Sequence, residues 1–141
     1  MQLEQQTLCR YHRMENGIHE FVMLSAKREA IDAYIDQLAP IYSRLPEFGT
    51  LYAIIDESQS GTPSVAYMSQ SIKLMFAENQ PRRPICMAVI FNQTIMVSLL
   101  ETIRTLLAKP GFDDVRFFTA DQREAAVCWL EEEAHSQFDP A

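Results

Sequence analysis

The sequence predicts an α/β domain: a five-stranded mixed sheet, built from an N-terminal β-hairpin and three strand-helix units, with four or so flanking helices. Three observations lead there. Near the start, two strand-like runs meet across an Asn-Gly pair in "TLCRYHRMENGIHEFVML", the strongest short-range hairpin signal. Further on, "LYAII", "ICMAVIF" and "VRFF" are apolar runs without alternation, which suits strands buried on both faces of a largely parallel sheet. Around them, apolar residues recur at spacings of three and four, the mark of helices with one buried stripe. Such an order of elements implies right-handed crossovers and helices on both faces.

Taken in order, the hairpin comprises Thr7 to Met14 and Ile18 to Leu24, with Asn16 and Gly17 as a two-residue turn. In its second strand Ile18, Val22 and Leu24 share one face and His19, Phe21 and Met23 the other. Apart from Glu20 and His19 both faces are apolar, so this strand belongs inside the sheet. Ser25 is placed to cap a helix whose stripe is Ile31, Tyr34, Ile35, Leu38, Ile41, Tyr42 and Leu45. Pro40 lies on its polar side and predicts a kink or break, because proline removes a backbone donor and crowds the carbonyl four residues back.

Leu51 to Ile55 is the third strand. Pro63 suits a first helical position with Thr62 as cap, and Val65, Ser69, Ile72, Met75 and Phe76 line the helix that follows. Ile85 to Phe91 is the fourth strand, after the breaker "NQPRRP". Asn92 or Thr94 caps the next helix, whose Met96, Leu99, Leu100, Ile103, Leu106 and Leu107 face the sheet. Val115 to Phe118 is the fifth strand. The last helix opens at Asp121, with Glu124 at capping-box spacing, and buries Ala126, Trp129 and Leu130.

At 141 residues, 48% hydrophobic, the chain is read as a single domain, 1–141, with one core. Four glycines and seven prolines without a repeating period exclude collagen-like and solenoid classes. A net charge of -7 argues against a nucleic-acid partner, since phosphate contact needs a basic surface. The N-terminus "MQLEQQTLCR" lacks a basic start, an apolar core and a cleavage site, and no window is long and apolar enough to span a bilayer, so the expectation is a cytoplasmic protein. Cys9, Cys86 and Cys128 each lie in an apolar pattern and read as reduced core thiols. No metal-ligand spacing or glycine-rich phosphate loop occurs, and no cofactor is expected.

In open α/β sheets ligands are met at the carboxyl ends of the parallel strands. The loops expected there are "DESQSGT", "NQT" and "TAD". They supply Asp56, Glu57, Ser58, Ser60, Gly61, Thr62, Asn92, Gln93, Thr94, Thr119 and Asp121, close to helix N-termini whose free amides favour anions. The same residue types also serve as caps and turns. A serine nucleophile would need a base within reach, and His12, His19 and His135 lie in the hairpin and tail. Asp56 and Glu57 point in opposite directions if the strand runs through them, against a carboxylate dyad. Met75, Met87 and Met96 read as core filling or as the lining of an apolar cavity. Arg82 and Arg83, on the opposite edge, read as a solvated turn.

The closing segment "DDVRFFTADQREAAVCWLEEE", with the order of elements, resembles small bacterial STAS-like proteins, related in fold to the sporulation anti-sigma-factor antagonist. Residue-level likeness is confined to this tail, with Val115 to Phe118 as strand, Thr119 to Asp121 as turn and Arg123 to Leu130 as helix, and loosely to the hairpin. The resemblance implies a five-stranded sheet with flanking helices, a fold shared with lipid-binding domains of the Sec14 type. In the antagonists an Asp-Ser-Ser-Gly signature at a helix N-terminus carries a phosphorylated serine. Here Ser60 and Gly61 match its end, while Ser58 stands for the aspartate and Gln59 for the first serine, and the longer loop before the signature is missing. The resulting expectation is a non-enzymatic regulatory or protein-interaction module, switched at the serine loop. Its implied partner is a kinase or anti-sigma-type regulator, with a homodimer left open. The alternative is a binder of small apolar, lipid-like ligands.

Overall fold

The computed structural model describes residues 8–61, 63–92 and 114–138. They build a five-stranded sheet in the order β1-β2-β3-β4-β5. The strands are β1 (Cys9–Arg13), β2 (His19–Met23), β3 (Leu51–Asp56), β4 (Ile85–Phe91) and β5 (Asp114–Thr119). The first pair is antiparallel and the other three are parallel, the mixed sheet expected. Three helices fall among the described residues: α1 (Arg28–Ser43), α2 (Val65–Glu78) and α3 (Arg123–Phe138). The helix expected around Met96 to Leu107 lies outside them, as do Thr62, Gln93 and Thr94.

Alternation along β3 divides the core in two. Leu51, Ala53 and Ile55 join Phe21, Met23, Met87 and Val89 under α1 and α2, which contribute Ile31, Tyr34, Leu38, Tyr42, Ile72, Met75 and Phe76. Ile54 joins Ile18, Cys86, Ala88 and Ile90 under Ala126, Trp129 and Leu130 of α3. All seven residues of β4 are buried, the physical meaning of its unbroken apolar run. Phe21 meets Tyr34 edge-on at 5.0 Å and Tyr42 meets Phe76 at 5.2 Å, so rings fasten α1 to β2 and to α2. No described helix is long and apolar enough to cross a membrane.

Several local expectations are corrected. The hairpin turn is longer than two residues: Met14 N donates to the Ile18 carbonyl and Gly17 N to the Met14 carbonyl, each at 2.9 Å, leaving Glu15 to Gly17 as the loop. A two-residue type I′ turn needs positive φ at both central positions, and of this loop only Gly17 has it, at 84°. A Cβ there meets open space, so the cost of a side chain is conformational. Gly17→Ala is expected to lower stability by about 1 kcal/mol in urea unfolding, with no change in fold.

Ser25 does not cap α1; its hydroxyl accepts from Lys27 N at 3.1 Å in a turn before the helix. Pro40 neither ends nor splits α1, which continues to Ser43. The ring sits on the exposed side while Leu38 and Tyr42 keep the stripe buried on either side of it, so packing holds the turn whose hydrogen bond is lost. Pro63 precedes α2 by two residues, and Ser64 rather than Thr62 is the cap, accepting from Tyr67 N at 3.2 Å. A 3₁₀ turn, Ala120–Gln122, precedes α3, so Asp121 lies before the helix it was expected to open. Cys9 and Cys86 are buried, but Cys128 is exposed, because the stripe of α3 places Ala126, Trp129 and Leu130 inward.

Candidate functional site

The carboxyl ends of the parallel strands gather Asp56, Asn92 and Thr119 on one edge, through the registers Asp56 with Ile90 and Phe91 with Thr119. The strand order runs without reversal, so the described strands form no switch-point crevice of the kind that usually houses a ligand. What this edge offers is a set of loops.

Asp56 and Glu57 diverge, as alternation requires. Asp56 turns toward α3: its Oδ1 accepts from Ser58 N at 2.9 Å and from Ser58 Oγ at 2.6 Å, and its Oδ2 lies 3.7 Å from Arg123. Arg123 also forms an ion pair with Glu20 of β2. The two carboxylates, 11% and 13% exposed, are thus bridged by one guanidinium. Glu57 turns to the α1 face, 7% exposed, with its backbone N donating to the Ile90 carbonyl at 2.8 Å. Burial pushes its carboxyl up to about 8, with the charge of Asp56 adding to the effect. Nearby Tyr34 is fully buried and its hydroxyl has no hydrogen-bond partner among the described residues. Burial, then the charges of Cys9 and Glu57, push that hydroxyl's pKa well up. Burial thus favours the protonated form of Glu57, beside a phenol whose neutral form is favoured in the same way.

Asp56, Ser58, Ser60 and Gly61 come together in one turn. Ser58 is held in the Asp56 and Arg123 network, whereas the Ser60 hydroxyl donates to the adjacent Gly61 carbonyl at 2.7 Å. Gly61 closes the turn at a φ of 76°. Thr119 shares the edge but serves the start of α3: its N donates to Gln122 Oε1 at 3.1 Å, and its hydroxyl donates to the Asp121 carboxylate. Asn92 is exposed beyond β4. Among the described residues neither serine donates to a histidine; His19, at the other end of β2, accepts from the Tyr11 hydroxyl at 2.7 Å when its Nδ1 is unprotonated. Burial, with Arg13 behind it, lowers the His19 pKa.

Three charged residues were not legible as partners. Glu20 stood out as an acid within an apolar strand, but its partner Arg123 is 103 residues away. Arg83, expected in a solvated turn, is 8% exposed and packed against Tyr42. Burial pushes the thiols of Cys9 and Cys86 up to about 12, which leaves them unreactive. No group of three or more His, Cys, Asp or Glu among the described residues could hold a metal ion. A scan of family models and searches of curated proteins and of solved structures find no match to this chain.

Proposed function

We propose that the chain is a non-enzymatic STAS-like regulatory or protein-interaction module whose switch is Ser60, in the turn between β3 and α2. The observation that carries this reading is the different engagement of the two serines. Ser58 is fastened to Asp56, while the hydrogen bond of Ser60 stays within its own turn. A phosphate on Ser60 adds about -1.5 to -2 charges close to the start of α2, where free amides favour it. Burial favours the uncharged form of Glu57, which lessens the repulsion that the acidic pair offers to that phosphate. Beyond the turn, α2 carries Leu74, 60% exposed, beside a groove of about 310 Å³ between α1 and α2. That side chain extends the contact surface a partner would meet.

Phosphate-affinity electrophoresis of the protein from its native host tests the reading. A retarded band is expected for the native chain and for Ser58→Ala, and its loss is expected for Ser60→Ala. Pull-down with Ser60→Glu should change the set of captured partners. An absent band together with an unchanged set would overturn the proposal.

A further inference from the structure

Among the described strands β1 ends the sheet, with β2 on one side only. The antiparallel register fixes which of its backbone groups are used. Leu24 N donates to the Leu8 carbonyl at 3.0 Å and Met14 N to the Ile18 carbonyl at 2.9 Å. Arg10 and His12, between them, therefore turn N–H and C=O toward β2, and Cys9, Tyr11 and Arg13 turn theirs outward. The Cys9 carbonyl is taken by Gln37 of α1, which donates through Nε2 at 2.8 Å. The outward groups of Tyr11 and Arg13 meet no partner among the described residues.

Side chains give this open edge a sign. Arg10, His12 and Arg13 are exposed, and the strand contains no acid, in a chain whose net charge is -7. Glu20, opposite His12 in the register, is held by Arg123. Neither Arg10 nor Arg13 forms an ion pair with a carboxylate among the described residues. Charges on an edge strand guard against association of copies. A second copy added here would lay Arg10, His12 and Arg13 against the same basic residues, and like charges across a strand pair are destabilising. An acidic strand meets no such barrier, so the residues that exclude the chain itself admit a partner of opposite charge.

We propose that the open edge of β1, from Arg10 to Arg13, docks an extended acidic segment of a partner protein by strand addition. The outward N–H and C=O groups of Tyr11 and Arg13 supply the main-chain pairing, and the side chains supply selectivity. On an antiparallel partner, acidic residues stand opposite Arg13, His12 and Arg10. Tyr11, which packs against the α1 side of the core, calls for an apolar residue between them. This edge is separate from the serine turn after β3 and does not rest on the regulatory reading.

Amide hydrogen exchange of the full chain by NMR, with the capped peptide Thr-Glu-Glu-Val-Glu-Thr added at low ionic strength, tests it. In the free chain the amides of Tyr11 and Arg13 should exchange much faster than those of Arg10 and His12, and saturating peptide should slow them. A peptide with Gln in place of each Glu should bind about tenfold or more weakly, and the double variant Arg10→Gln, Arg13→Gln should lose about tenfold for the acidic peptide. Both arginines are exposed, so that variant keeps the fold. Tyr11 and Arg13 amides already protected in the free chain would mean that the chain itself covers the edge, and protection that grows with protein concentration alone would mean a second copy. Either result overturns the proposal, as does absent or charge-independent peptide binding, or binding that leaves those two amides exchanging freely.

Discussion

Glu57→Gln is expected to remove most of the alkaline loss of stability from this protein. Burial raises the carboxyl from 4.5 to about 8 in the folded chain, so between those values the folded state holds a proton that the unfolded state has released. The stabilising contribution of the protonated acid is complete below about pH 4.5. It declines as pH rises through that interval and is gone above about 8. Integrated over the interval, the loss amounts to about 4 to 5 kcal/mol. Glutamine has nearly the same shape and no proton to lose. Urea unfolding of both proteins at about pH 4.5, 7 and 9 should therefore show the variant gaining on the native chain at each step. Parallel stability curves would show that Glu57 reaches water in the folded state.

The second large effect is at Arg123. Arg123→Met is expected to cost about 3 kcal/mol, because it leaves Glu20 and Asp56, both mostly buried, facing each other without the cation that bridges them. Arg123 is itself 40% exposed, so the cost arises from the stranded acids rather than from lost packing. The double variant Glu20→Gln, Arg123→Met should recover a large part of the loss, and the cycle of four proteins measures the coupling. Additive effects would mean that the bridge carries no stability. Ser58, tied to the same Asp56, is expected to become more mobile in Arg123→Met, readable as faster amide exchange at Ser58 while the exchange of β4 changes far less.

Much of the fold was legible because periodicity is a local consequence of burial. The run Ile85 to Phe91 has the same bounds in the sequence and in the structure, since a strand enclosed on both faces must be apolar at every position. The stripe of α1 was equally plain. Caps and turns were read less well because several residues of the right type stand close together: Ser25, Thr62 and Asp121 were each eligible, yet Ser64 and the Thr119 turn were used. The choice among such neighbours depends on where packing sets the first helical turn, which the stripe constrains only to within a residue or two.

The edge that gathers Asp56, Asn92 and Thr119 followed from strand direction, and the divergence of Asp56 and Glu57 followed from the two-residue period of the chain. Those features the sequence determined by itself. It could not show that Glu57 enters the α1 side of the core, that Arg123 crosses the sheet edge to two acids, or that Arg83 is buried on Tyr42. Each is a meeting of residues far apart in the chain, and the ionic state or burial of one partner depends on the position of the other. Only the tertiary structure decided them, because charge and desolvation act through distance in space, while hydrophobic periodicity is written along the chain.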